Sequence, residues 1–240
     1  MISTSPQIGF DRYIQLDWVA AAFKVRAGIA SLNELNELLD VAGLGKEARA
    51  KTRTKLNALG LQPRQDLADF AERGIGLFKE HQNISVAALA WGLAIATYPF
   101  FGKVAEITGR LTAIQGDCSS LEIHRRISEM FGDREVTKRA TQAVLQTQAN
   151  WGAIERVEKG KRLIRVAPSV VSNDALTAWL VEAALRYTCK AVPVTTLQSM
   201  AVIYPFSFDQ SLAYVLSNRP TLELRSDGPS KQFVALRETS

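Results

Sequence analysis

Apolar residues recur at helical spacing along the first hundred residues, and nothing there alternates as a strand would. Val19, Ala22 and Phe23 mark a first helix, with Asp17 as its N-cap. Ser31 with Glu34 fits a capping box, and Gly43 stands where a helix ends. A polar helix over 46–59 closes at Gly60, and Pro63 suits the first turn of the next. Leu67, Phe70, Ala71 and Phe78 give that helix one face, weakened by Gly74 and Gly76. Ser85 opens an apolar helix that reaches Tyr98, where Pro99 disfavours continuation. The pattern predicts a five-helix bundle over residues 10–98, behind a loose tail up to Gly9.

From Phe100 the apolar positions Val104, Ile107, Leu111 and Ile114 define another helix, ended by Gly116. Ser119 with Glu122 is again a capping box, followed by Ile123, Ile127, Met130 and Phe131. Gly132-Asp133 interrupts, and a second helix starts at Arg134. Its inner face is Val136, Ala140, Ala143, Val144, Thr147 and Trp151. At 100° per residue the outer face carries Arg134, Lys138, Thr141 and Gln142. Gly152 stops it, and residues 154–166 read as two strands about Lys159-Gly160. Helix, turn, helix and basic hairpin is the order of a winged helix-turn-helix, over 99–167.

The same grammar returns over 173–238. Asn173 caps a long helix through Leu176, Trp179, Leu180, Ala183 and Tyr187. Residues 195–202 form a short segment after Pro193. Ser207 with Gln210 opens a helix through Leu212, Val215 and Leu216, and Leu222, Leu224 and Leu236 belong to a closing hairpin with Leu224 and Leu236 inward. The predicted fold is therefore mainly α: a helical bundle, a winged helix-turn-helix, and a second winged-helix-like C-terminal unit.

Charge placement adds direction. The net charge is +5, and residues 134–165 alone hold eight Lys/Arg against three Glu. Residues 46–55 hold five Lys/Arg against one Glu, with Lys46, Arg49 and Arg53 on one stripe. Such clustering suits a polyanion, although solvated helix faces look alike. Chemistry is absent from the pattern: no P-loop lysine, no nucleophile elbow, and His81, His124, Cys118 and Cys189 lack metal-ligand spacing. No cofactor, metal, small-molecule substrate or enzymatic activity is expected. Two unpaired cysteines and no apolar leader suggest the cytoplasm. The longest apolar run, 86–96, is too short to span a bilayer.

The expected partner is double-stranded DNA. Arg134, Lys138 and Gln142 would face the major groove, with the Thr137 and Thr141 hydroxyls fixing register. Lys159, Lys161 and Arg162, with Arg156 beside them, would hold phosphates or the minor groove.

The motifs YPFF…GRL..IQG at 98–116 and IYPFSFDQSLAYVLSNRPTLELRSDG…FVALR at 203–237 resemble the BrxA family, small accessory proteins of the BREX anti-phage systems of bacteria. The resemblance spans roughly 10–237 and rests on element order and on the aromatic-Pro-Phe recurrence at Tyr98 and Tyr204. It implies a non-enzymatic, DNA-binding defence component that works beside larger proteins, a methyltransferase and an ATPase among them. Two rival readings remain: a protein–protein adaptor whose basic face meets an acidic partner, and a dimeric transcriptional repressor.

Overall fold

The computed structural model describes residues 7–217, 219–226 and 232–237 of the 240-residue chain. Most of the tail expected up to Gly9 lies outside the described residues. The protein is mainly helical with a few small sheets. Five helices come first: α1 (Leu16–Arg26), α2 (Leu32–Val41), α3 (Lys46–Leu56), α4 (Ala68–Glu80) and α5 (Val86–Thr97). The local signals for these helices are realised as bonds. The Ser31 side chain accepts from Glu34 N–H while the Glu34 carboxylate accepts from Ser31 N–H at 2.5 Å. Ser85 accepts from Ala88 N–H at 3.2 Å. Asp17 lies in the first turn of α1; the N-cap is Gln15. The helix expected to reach Leu59 ends at Leu56 and widens into a π turn, Asn57–Leu61.

Next come α6 (Pro99–Gln115), β1 (Asp117–Ser119), α7 (Ser120–Phe131), α8 (Glu135–Asn150), β2 (Ile154–Val157) and β3 (Arg162–Arg165). Pro99 at the first position of α6 forces the chain through a bend of 117° between α5 and α6. No single helix is long and apolar enough to cross a membrane. β1 and β2 both pair antiparallel with β3, giving the order β1-β3-β2.

The last third holds β4 (Ser169–Val171), α9 (Asp174–Thr188), β5 (Val192–Pro193), two 3-10 turns (Val194–Ser199 and Ala201–Ile203), β6 (Phe206–Phe208), α10 (Leu212–Ser217), β7 (Leu222–Ser226) and β8 (Gln232–Leu236). The long helix expected from Asn173 is α9, and the short segment expected over 195–202 is made of the two 3-10 turns. Ser207 does not cap a helix; it lies in β6, which pairs in parallel with β4, and α10 is six residues long. The closing hairpin forms with Leu222 opposite Leu236 and Leu224 opposite Val234, all on the core side. Its turn, at 226–229, lies almost wholly outside the described residues.

One contiguous buried cluster runs from Phe10 to Val234 through all three stretches. At its centre α5, buried at every residue from 88 to 95, packs on α9, buried throughout 176–185. Trp179 of α9 stacks on Phe70 with ring centroids 4.4 Å apart and donates to the Phe70 carbonyl at 2.9 Å. Gly74 and Gly92 flank that ring; a Cβ at Gly74 would stand 2.8 Å from it, and one at Gly92 would overlap it. Trp91 donates to the Val202 carbonyl at 2.8 Å, tying α5 to the 3-10 segment.

Candidate nucleic-acid interface

The basic stretch is built on α7, α8 and the β1-β3-β2 sheet. Ser119 accepts from Glu122 N–H at 3.0 Å and starts α7. Gly132, at φ 84°, ends it and reverses the chain into α8. The β2–β3 turn is left-handed over three successive residues, Glu158 (φ 51°), Lys159 (φ 57°) and Gly160 (φ 82°). Glycine suits the third by its left-handed backbone, and the Arg156 guanidinium lies where a Cβ would project and would have to shift for any other residue. The turn abuts the start of α7, where Ser120 N–H donates to the Lys161 carbonyl at 2.8 Å.

Eight of the nine side chains expected to contact a nucleic acid fall into four groups of two, and Gln142 stands apart. Lys159 and Lys161 are exposed and have no side-chain partner among the described residues. Arg134 and Lys138 are exposed but lightly held: Arg134 donates to the Phe131 carbonyl at 3.0 Å, and Lys138 stands 3.6 Å from Asp133. Arg162 and Arg156 make the third group, and they differ. Arg162 forms a two-pronged pair with Asp117, its Nε at 2.7 Å, and this raises its pKa. Arg156 is half-buried against Gly160, and its Nε is buried without a hydrogen-bond partner among the described residues, so of the two arginines it is Arg162 that a carboxylate holds.

The fourth group is corrected outright. Thr137 and Thr141 are buried, and the Thr141 hydroxyl donates to the Thr137 carbonyl at 2.8 Å. They cannot fix register on an outside ligand. The reason is the width of the covered arc: with α7 and α6 packed on α8, the buried positions are 137, 140, 141, 143, 144, 145, 147 and 148, about 200° of the helical wheel rather than one narrow stripe. Val136, expected inside, lies in the first turn of α8 and is 47% exposed.

Gln142 is half-buried and turned toward His124 of α7. Burial lowers the His124 pKa, the hydrogen bond with Gln142 raises it, and the Lys138 charge lowers it; the net direction is down. Its Nδ1 is buried without a hydrogen-bond partner among the described residues.

Two cations outside the expected set occupy the outer surface. Arg139, with its side chain 78% exposed, pairs at 3.0 Å with Glu135 one turn back. Arg125 of α7 is exposed and unpaired among the described residues. The spacing 135, 139, 142, 146 is the stripe that the inner face leaves outward, and it could have singled out Arg139. Exposed pairs such as Arg139–Glu135 contribute about 0–1 kcal/mol, so a phosphate can displace the carboxylate.

The other basic run behaves differently. Arg49 pairs with Asp40, Lys51 with Glu47, Lys55 with Asp11 at 3.0 Å, and Arg53 donates to the Asn36 side chain. The α3 stripe is consumed in packing α2 and the N-terminal segment, leaving Lys46 as its unpaired cation among the described residues.

No protein-family model matches the chain, and neither a curated protein nor a solved structure does.

Proposed function

We propose that residues 99–167 form a winged helix-turn-helix that binds duplex DNA, α8 entering the major groove and the β2–β3 turn acting as the wing. The observation that carries the reading is the element order α6-β1-α7-α8-β2-turn-β3 with sheet order β1-β3-β2, bearing two unpaired lysines at the turn. A helix followed by a sheet hairpin suits a groove and its flanking backbone. Lys138 and Arg139 are the base-edge and phosphate donors on α8; Lys159, Lys161 and Arg125 are phosphate contacts. The resemblance to the BrxA family supports a setting in bacterial anti-phage defence, as a non-enzymatic, cytoplasmic component beside other defence proteins.

Fluorescence anisotropy on duplex DNA across roughly 50–200 mM salt tests the reading, with a log–log slope of about −0.9 per phosphate contact. Joint replacement of Lys159 and Lys161 by Ala should weaken binding to every duplex and flatten the slope by about two units. Thr141→Val, which alters only a buried hydroxyl, should leave DNA binding unchanged. A folded double variant with the wild-type slope refutes the wing assignment. Leu121, Met130 and Val136 are exposed apolar residues on the same two helices, and they favour a second reading in which this face docks a protein. Absence of any DNA binding by wild type selects that reading.

A further inference from the structure

The expectation of no small-molecule partner meets an obstacle at the far side of the bundle. Between α4, α9 and the 219–221 segment opens a cleft of about 320 Å³, within the range of roughly 300–1,000 Å³ of small-molecule sites. Trp179, Leu77, Ala178 and Pro220 make its apolar lining. None of the α7, α8 or β2–β3 residues lines it.

The glycines of α4 show that the opening is not a packing accident. Gly74 is needed, since any side chain there would strike Trp179. Gly76 is not: a Cβ at that position meets nothing within 4 Å. Glycine inside a helix is destabilising relative to almost any other residue, and no steric demand of the fold offsets it here. What its missing side chain does is keep the cleft open.

Charge then selects the ligand. Glu182, 2% exposed, is the buried carboxylate beneath the cleft. Both its oxygens are already occupied: Oε1 by Arg73 at 2.5 Å and Arg186 at 2.8 Å, Oε2 by the Thr221 hydroxyl at 2.8 Å. Buried and paired in this way, the carboxylate fixes the half-exposed Arg73 in the wall. Arg219 lines the opposite lip with its Nε committed to the Val215 carbonyl at 3.1 Å, and its terminal nitrogens have no partner among the described residues. Glu80 lines the outer end, at the last residue of α4. We infer that this cleft binds a small anion with a flat aromatic body, the ring against Trp179 and Ala178 and the carboxylate, sulfonate or phosphate on Arg219 and Arg73.

The test is a fluorescence titration of the full chain with 8-anilinonaphthalene-1-sulfonate and with N-phenyl-1-naphthylamine, its skeleton without the anion. One saturable sulfonate site is expected, about tenfold or more tighter than the neutral probe, as befits a charge-assisted hydrogen bond. Gly76→Leu should fill the cleft and abolish that site while raising Tm; Ala175→Leu, on the facing wall, is the second block. Arg219→Ala should weaken the sulfonate about tenfold and leave the neutral probe unchanged. Undiminished sulfonate binding in both filled variants overturns the site. Equal affinity of the two probes for wild type overturns the anion.

Discussion

Trp179 and Gly92 should be coupled so strongly that a glycine-to-alanine change reverses sign when the tryptophan is removed. Trp179 is 4% exposed, and an aromatic of this size buries about 150–250 Å², or about 4–6 kcal/mol at ~25 cal/mol per Å². Measured Trp→Ala changes fall at about 3–5 kcal/mol. Trp179→Ala belongs within that range: Gly74 and Gly92 beside the ring have no side chain to move into the void, and the stacked Phe70 ring is what can relax into it. Gly92→Ala alone drives a methyl into the ring. Overpacking of this kind costs about 1–3 kcal/mol, more than the ~1 kcal/mol of helix propensity that alanine gains. In the Trp179→Ala background the clash is gone and only the gain remains, together with a partly filled cavity. The coupling should be about 2–3 kcal/mol, read from a double-mutant cycle by urea denaturation with m-values compared across the four proteins. Should Gly92→Ala be equally destabilising in both backgrounds, within about 0.5 kcal/mol, the claim that this glycine exists for the tryptophan is wrong.

Two further outcomes follow from the titratable groups. His124 has its pKa held below 6.5, by burial first and by the Lys138 charge, against a hydrogen bond with Gln142. The native state then binds fewer protons than the unfolded state just below pH 6.5, so stability falls as pH drops through that window. His124→Gln should flatten the decline of Tm between about pH 7 and pH 5, and an unchanged decline would assign it elsewhere. Cys118 is buried, its thiol pushed up to about 12 by burial and by the nearby Glu122 and Asp117 carboxylates, whereas Cys189 is exposed. A thiol-exchange reagent at about pH 8 should titrate one cysteine in native protein and two in urea, and two in the native state would contradict the burial of Cys118.

Legibility in the sequence followed the range of the interaction. Caps at Ser31, Ser85, Ser119 and Asn173 are contacts across three residues, and each appears with its bond. Glycines at 116, 132 and 152 stand in the left-handed region where helices stop. The short strands could not be read: β1 exists because residue 117 meets 164, and β6 because residue 206 meets 169. Ser207 and Gln210 have the spacing of a capping box, yet pairing with β4 takes the backbone of Ser207 first. Thr137 and Thr141 failed for a related reason. A helical wheel gives the angle of a side chain but not how many neighbours enclose the helix. Lys159 and Lys161 were legible because a turn between two short strands has nowhere to bury a lysine. Arg162 was not, its partner Asp117 lying 45 positions earlier.

The same long-range contacts decide how α8 is presented. Its C-terminal half is tied to both ends of the chain. The Thr147 hydroxyl accepts from Ile14 N–H at 3.0 Å, the Asn150 side chain from Leu16 N–H at 2.7 Å, and the Gln148 side chain from the Tyr204 hydroxyl at 3.0 Å. Just past the helix, Trp151 donates to the Ile14 carbonyl at 3.0 Å. Tyr204 in turn packs against Gly109 of α6 and beneath the Arg165 guanidinium, which donates to its carbonyl at 2.7 Å. The N-terminal half carries none of these ties, and Glu135, Lys138 and Arg139 lie exposed on its outer side. A helix bolted at its back by the bundle, the sheet and the C-terminal stretch would meet the proposed DNA without first having to be ordered. The ordering entropy that opposes binding by flexible segments is spent during folding instead. The helical bundle and the C-terminal stretch thus act on the basic surface without touching it, by holding α8 still.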